Sequence, residues 1–262
     1  MAKRNVQENG DRTLSSRTPK LLVLNQMAGP MTWELVVDLE PSLGELALLT
    51  GHPDTLQKDP PTGIHVEPAT AYQRGSFPVR AWSWARYLVQ AFFWLWRWPA
   101  KTPVLVFSNP PMGVWVAAVM RRIRGTPYAV MVHDIYPDVV VRMGVVGNRN
   151  WLVRIWKALN RYAYENADLV MTLGENMADV LSSQFDASRT QAGQIKIVRP
   201  WAHTSTFQPI IKSANGFAQQ NDQVDKITIM YSGNMGLGHD IETMLAAAEQ
   251  LQEETRLHFM FI

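Results

Sequence analysis

Short apolar runs alternate along the chain with longer stretches in which apolar positions recur every three or four residues. Residues 20–25 (K-L-L-V-L-N) read as a buried strand, closed by a Gly29-Pro30 turn. A short helix is expected around 32–39 and a second strand at 46–50. Residues 51–79, rich in Pro, Gly and Thr, read as an extended connection. Strands follow at 104–108, 128–133, 168–173 and 195–198, with helices expected over 80–98, 113–122, 151–163 and 175–184. In the 151–163 helix, Trp151, Ile155, Leu159 and Tyr162 keep the spacing of one apolar stripe, with Arg154, Lys157 and Arg161 elsewhere on the helix. Such alternation predicts an α/β chain whose first domain, residues 20–205, is a doubly wound parallel sheet covered on both faces.

Residues 206–226 are expected to be a polar linker, after which the pattern restarts. A strand at 227–231 leads into a glycine-rich bend. A helix then places Ile241, Met244, Leu245, Ala248 and Leu251 on one face, and a strand runs over 257–262. One β-α-β unit cannot bury its own faces, so residues 227–262 are expected to be the truncated start of a second domain. Residues 1–19 are polar and lack the apolar core of a signal peptide, so a disordered tail and a cytoplasmic location are expected.

Hydrophobic residues make up 47% of the chain and cysteine is absent, which removes disulfides, thiolate metal sites and cysteine nucleophiles. Net charge is only +2, yet it is unevenly spread. Between Glu67 and Asp134 there is no acidic residue, while six of the ten tryptophans and Arg74, Arg80, Arg86, Arg97, Lys101, Arg121, Arg122 and Arg124 fall there. A basic, aromatic stretch of this kind suits RNA, an anionic membrane or an anionic substrate. Its densest part, 80–98, puts Ser83, Arg86, Gln90 and Arg97 on a narrow polar strip and Trp82, Val89, Phe92, Phe93 and Trp96 on a broad apolar face. The interval between Arg86 and Arg97 is too short to cross a bilayer, where about twenty residues are needed. Two readings stay open: a buried helix, or an interfacial helix that touches anionic lipid through Arg86, Trp94, Trp96, Arg97 and Trp98.

The bend Y-S-G-N-M-G-L-G-H-D contains Gly233, Gly236 and Gly238 in the order G-x-x-G-x-G, which is not the dinucleotide fingerprint. Nor is there the Gly-Lys-Ser/Thr of a P-loop. Spacing alone leaves a tight turn and a phosphate contact equally open.

Four segments together resemble family 4 glycosyltransferases: H-D-I-Y-P-D (133–138), N-A-D-L-V-M-T-L-G-E-N-M-A-D-V-L (166–181), I-K-I-V-R-P-W-A-H-T-S-T-F-Q-P (195–209) and Y-S-G-N-M-G-L-G-H-D-I-E-T (231–243). The chain is most similar to the branch that builds bacterial surface polysaccharides from nucleotide-sugar donors and lipid-linked acceptors. The resemblance implies a GT-B fold, two Rossmann-like domains facing each other across a cleft, with the second incomplete. It implies an acceptor in the first domain, a nucleotide sugar in the second, and no nucleic-acid partner. His133 would contact the transferred sugar and act catalytically, with Asp134 beside it in the substrate site. Gly29 would lie in the loop after the first strand. Gly233, Asn234, Gly236, Gly238 and His239 would hold the donor diphosphate, which the helix N-terminus also favours. Retention of anomeric configuration and attachment to the inner face of the cell membrane follow from the same resemblance.

Departures from the family pattern are specific. Pro30 stands where members carry a second glycine, and Asn234 with His239 or Asp240 replaces an arginine and lysine that clamp the diphosphate. Arg199-Pro200 and His203 replace the usual interdomain residues, and the paired glutamates that hold the ribose are missing. No cofactor or metal is expected, since Asp38-x-Glu40 and Asp240-x-Glu242 fall where helices are expected and their carboxylates diverge. A Ser-His-Asp hydrolase lacks its G-x-S-x-G elbow. Two rivals remain: a nucleotide-sugar 2-epimerase of the same fold, and a non-catalytic membrane-bound partner in a polysaccharide assembly complex.

Overall fold

A computed structural model describes residues 18–56, 60–186, 193–201, 208–233, 235 and 239–262. The chain divides into two compact units, one of residues up to Val141 with Val146–Trp201, the other of Arg142–Val145 with residues from Ala202 on.

The first unit is a seven-stranded, wholly parallel sheet with strand order β3-β2-β1-β4-β5-β6-β7. Its strands are β1 Leu21–Leu24, β2 Leu46–Thr50, β3 Ile64–Pro68, β4 Val104–Phe107, β5 Tyr128–Val132, β6 Leu169–Thr172 and β7 Ile195–Ile197. The helices are α1 Pro30–Leu43, α2 Phe77–Arg97, α3 Gly113–Arg124, α4 Asp138–Arg142, α5 Trp151–Glu165 and α6 Glu175–Gln184. The order grows outward from β1 in one direction and from β4 in the other, so right-handed crossovers put α1 on one face and α2, α3, α5 and α6 on the other. Two hydrophobic cores record this. Trp33 and Val36 of α1 pack with Val23, Leu48 and Leu105, whereas Tyr87, Trp94, Val114, Ala117, Tyr164 and Leu181 pack with Leu22, Leu49 and Val106 from the opposite side.

Three expectations are corrected here. The stretch 51–79 is not merely a connection: it contains β3, an edge strand that pairs with β2 from Leu46↔Ile64 to Thr50↔Pro68. Pro68 at its end is tolerated because a proline costs little on an edge strand. The apolar stripe of α5 faces solvent, with Trp151, Ile155, Leu159 and Tyr162 all exposed, while Val153, Asn160, Ala163 and Tyr164 turn to the core. Asn160 can be buried because its side chain is fully engaged, accepting from Trp115 Nε1 at 2.7 Å and donating to the Tyr136 carbonyl at 2.8 Å. In α2 the expected polar strip is likewise split: Ser83 is buried, and Trp82, Val89, Phe93 and Trp96 of the apolar face are exposed.

The second unit holds α7 Gly216–Gln220, then β8 Ile227–Tyr231, α8 Ile241–Gln250 and β9 Leu257–Phe261. β8 and β9 pair in parallel, from Ile227↔Leu257 to Tyr231↔Phe261. That is the β-α-β unit expected from the sequence. α7 occupies part of the segment expected to be linker; its N-terminus is capped by Asn215, whose side chain accepts from Phe217 and Ala218. Residues 1–17 of the expected tail, and His203, lie outside the described residues.

Candidate functional site

Ligands of open parallel sheets gather beyond the carboxyl ends of the strands, near the point where strand order reverses. Here that point lies between β1 and β4. The loop leaving β1 is organised by Asn25, whose side chain donates to Thr32 Oγ1 at 2.8 Å and accepts from the Met27 N–H at 3.1 Å. It delivers Gly29 to the wall of an open pocket of about 380 Å³ that is also lined by Met27, Pro30, His52, Thr55, Tyr72 and Arg74. Gly29 has ordinary extended backbone angles and nothing within 4 Å of where a Cβ would stand, so no steric demand makes it glycine.

His52, Tyr72 and Arg74 went unnoticed as site residues because they sit in the proline- and glycine-rich stretch 51–79. The signal was available: a basic and two aromatic-ring side chains close to the ends of two strands. The strap 69–74 is fixed at its base. Ala69 N–H donates to the Thr50 carbonyl at 2.7 Å, Thr70 N–H to Gln90 Oε1 at 2.7 Å, and Gln26 Nε2 to the Thr70 carbonyl at 3.0 Å. Gly51 lies directly beneath: a Cβ there would stand 2.5 Å from the Thr70 oxygen and 2.7 Å from the Ala71 Cα. Only glycine lets the two backbones cross at this separation.

His133 follows β5 immediately, the strand ending at Val132, one residue earlier than expected. Its backbone N–H donates to Ser108 Oγ at 3.0 Å, and its ring meets Phe107 edge-on with centroids 5.6 Å apart. Burial lowers its pKa below the ordinary histidine value, opposed by the Asp134 carboxylate, so the imidazole is neutral near neutral pH. Asp134 itself is exposed. Tyr136, next along the loop, is pushed up by burial and further by Asp134 and Tyr72, with Arg80 acting in the opposite sense. Tyr72 thus belongs both to the pocket wall and to the surroundings of the β5 loop. A half-buried neutral imidazole at a strand's carboxyl end can donate or accept a hydrogen bond without a fixed charge.

In the second unit the glycine bend is visible only at its edges: Asn234, Gly236 and Gly238 lie outside the described residues. Gly233 adopts φ +144°, which L side chains rarely take, so glycine is required there by conformation. Its N–H is not pointed at an open site but extends the ladder, donating to the Ile262 carbonyl at 3.0 Å. The α8 N-terminus is also taken. Asp240 caps it, accepting from the Thr243 N–H at 3.1 Å and from Thr243 Oγ1 at 2.7 Å, and these bonds lower the carboxylate's pKa. A carboxylate thus stands at the helix N-terminus that was expected to favour a diphosphate, and it already accepts from Thr243. His239 is exposed and its ring lies edge-on to Tyr231, 5.7 Å between centroids.

The expected lipid-contact residues of α2 divide. Arg86 and Trp96 are exposed, with the Arg124 guanidinium 4.9 Å over the Trp96 ring. Trp94 is buried to 2% exposure and its indole donates to Glu67 Oε2 at 2.9 Å, so it belongs to the core and cannot meet a membrane. Arg97 pairs with the same carboxylate at 2.5 Å, and half-buried Trp98 packs on the core. Among the described residues no group of three His, Cys, Asp or Glu could hold a metal, and no helix is long and apolar enough to cross a membrane.

Comparison with solved structures agrees with the fold. Anabaena Alr3699/HepE, crystallised in complex with UDP, superposes with a TM-score of 0.54 at 12% identity, over 92% of this chain and 69% of that one. WaaG, a glycosyltransferase involved in lipopolysaccharide biosynthesis, gives a TM-score of 0.52 at 14% identity, over 92% and 70%. The fold is thus that of the GT-B glycosyltransferases. At the sequence level, residues 28–200 match the glycosyl transferase 4-like domain, and the chain belongs to that family. A curated relative, the probable glycosyltransferase WbjE of Pseudomonas aeruginosa, is 23% identical over 159 residues, 61% of this chain. The match spans about two fifths of that relative, 38% of its length.

Proposed function

We propose that this chain provides the acceptor-side domain, and part of the donor-side domain, of a glycosyltransferase that moves a sugar from a nucleotide donor to a lipid-linked acceptor at the inner face of the cell membrane. The observation that carries the reading is His133, a half-buried imidazole held neutral by burial at the carboxyl end of β5, in a chain of the glycosyl transferase 4-like family. A neutral ring can hydrogen-bond a hydroxyl of the transferring sugar and strengthen that bond as oxocarbenium character develops, without repelling the cationic ring. The departing diphosphate assists deprotonation of the acceptor, and anomeric configuration is retained.

The pocket of Gly29, His52, Tyr72 and Arg74 suits the acceptor. Arg74 offers a fixed cation for a phosphate, and Tyr72 offers a ring on which a sugar can rest. On the donor side, UDP sugars are the class to test first, because Alr3699/HepE was crystallised with UDP-glucose. Gly233 shapes the bend through its backbone angle, and Asn234, Gly236, Gly238 and His239 are assigned to the donor diphosphate on the family resemblance.

The test incubates the full gene product with radiolabelled UDP sugars and a lipid extract of the source membrane. Label entering the organic phase, with net retention at the anomeric centre, is expected. Label remaining on an epimerised nucleotide sugar would convert the assignment to a 2-epimerase; no turnover with any donor would favour a non-catalytic partner.

A further inference from the structure

α5 carries two apolar stripes on opposite sides, and only one is used by the fold. Val153, Ala163 and Tyr164 enter the core. At 3.6 residues per turn, Trp151, Leu152, Ile155, Leu159 and Tyr162 lie within an arc of roughly 100° on the other side. Their exposures run from 43% for Leu159 and Tyr162 to 66% for Trp151. Arg154 and Arg161, both exposed, follow one edge of that arc. An ordinary surface helix turns its apolar stripe inward, so a stripe turned to solvent has a partner outside the domain.

The stripe is not isolated. α3 packs between α2 and α5 on the same face of the sheet and exposes Val119 and Ile123, one turn apart. α2 exposes Val89, Phe93 and Trp96. The outer surface of this three-helix layer is therefore apolar in repeated stripes.

Charge decides the partner. From Val139 to Tyr164 there is no acidic residue, while Arg142, Arg149, Arg154, Lys157 and Arg161 fall in the interval. Only Lys157 has an acidic neighbour from outside it, Asp138 at 2.6 Å, among the ion pairs of the described residues. Exposed aromatic and aliphatic side chains bordered by arginines match a layered surface with apolar interior and negative headgroups, and the aromatic ends Trp151 and Tyr162 suit the boundary between them. A second protein would have to supply both an apolar groove and a row of acids in register.

We infer that the exposed stripe of α5 is a docking surface for an anionic phospholipid bilayer, lying in the plane of the interface. It rests on the membrane-surface part of the reading above and adds a second contact element beside α2. The lipid is met by Trp151, Leu152, Ile155, Leu159 and Tyr162, with Arg154 and Arg161 at the headgroups.

The chain's lack of cysteine allows a direct test. A nitroxide placed by Ile155→Cys should be immersed in lipid when the full gene product binds vesicles of phosphatidylcholine with phosphatidylglycerol, giving high oxygen accessibility and low nickel accessibility. The same label at Asp38→Cys, exposed on α1 across the sheet, should stay aqueous. In flotation, Trp151→Ser, Ile155→Ser and Leu159→Ser together should weaken vesicle partition by on the order of tenfold. Arg154→Gln and Arg161→Gln should each weaken it roughly fivefold, and only on anionic vesicles. An aqueous label at 155 on bound protein, or undiminished flotation of the triple variant, overturns the α5 surface and leaves α2 as the contact. Equal binding to neutral vesicles overturns the charge argument, and a lipid-independent dimer abolished by the triple variant assigns the stripe to a second copy. Loss of transfer with flotation intact would count against the glycosyltransferase reading alone.

Discussion

The chain writes the same β-α-β sentence twice, and the two copies end in different physical states. In β1-α1-β2, nearly every strand residue is buried and α1 sends Trp33 and Val36 into a core shared with the neighbouring strands. In β8-α8-β9, no strand or helix residue is buried, and Ile227, Ile229, Met230 and Leu245 stand exposed. Local pattern makes the elements in both places. Burial is supplied by what flanks them: β1 has β2 on one side and β4 on the other, whereas β8 and β9 have only each other among the described residues.

The strongest way to break that contrast is to remove equal amounts of apolar volume from each copy. Leu48→Ala, in fully buried β2, should lower unfolding free energy by about 2–5 kcal/mol in urea titration, because a cavity is left between packed layers. Ile229→Ala in β8 should change it by less than about 1 kcal/mol. Equal losses would mean that β8 is as deeply packed as β2 in the protein in solution.

The two units should also fail differently in catalysis. His133→Ala in the full gene product should reduce kcat by on the order of 10²-fold while the donor KM moves little, as expected of a contact that matters in the transition state. Near-normal turnover would leave His133 a structural residue packed on Phe107. Gly233→Val should instead raise the donor Kd by roughly tenfold, measured calorimetrically, because valine is strained by about 1–3 kcal/mol at that φ. Since a Cβ there meets nothing within 4 Å, Gly233→Ala should lose nearly as much; a loss confined to Val would point to obstruction of the donor.

The smallest effect is a pH dependence that belongs to the first unit alone. Burial depresses the His133 pKa, so below the unfolded-state value near 6.5 the unfolded chain takes up a proton that the native ring does not. Stability should fall as pH drops from that value to the lower native pKa and then level off. His133→Gln should remove this component from the difference between unfolding curves at pH 7 and pH 5. An unchanged slope would show that the native ring is not shielded.

The alternating strands and helices, the parallel sheet and the late β-α-β were legible because apolar runs and helical periods are local. What the sequence hid was direction. The stripe of Trp151, Ile155, Leu159 and Tyr162 is plain in the periodicity, but periodicity does not say on which side the water lies. That was settled by Asn160, a polar residue that becomes a core residue once Trp115 and Tyr136 satisfy it. In α2, Trp94 looked like its neighbours and was separated from them only by Glu67, a partner 27 residues away. β3 was overlooked because an edge strand carrying His65, Glu67 and Pro68 has no continuous apolar run. Of the candidate site, the place of His133 at the end of β5 was legible while its role rested on the family resemblance, and His52, Tyr72 and Arg74 were not legible, since a strap over a pocket carries no period at all.

The crossing of Gly51 beneath Thr70 has a consequence for redesign. The base of the strap is bolted down by a main-chain bond to Thr50 and by the side chains of Gln26 and Gln90, while its tip presents Tyr72 and Arg74, so the tip is an interchangeable cassette on a fixed mount. Grafting residues 71–75 from a relative should re-specify what the pocket accepts without re-engineering the sheet. The graft will seat only on a scaffold that keeps glycine at 51, which makes that single position the compatibility key for exchanging the tip and, if the pocket takes the acceptor as proposed, the acceptor preference with it.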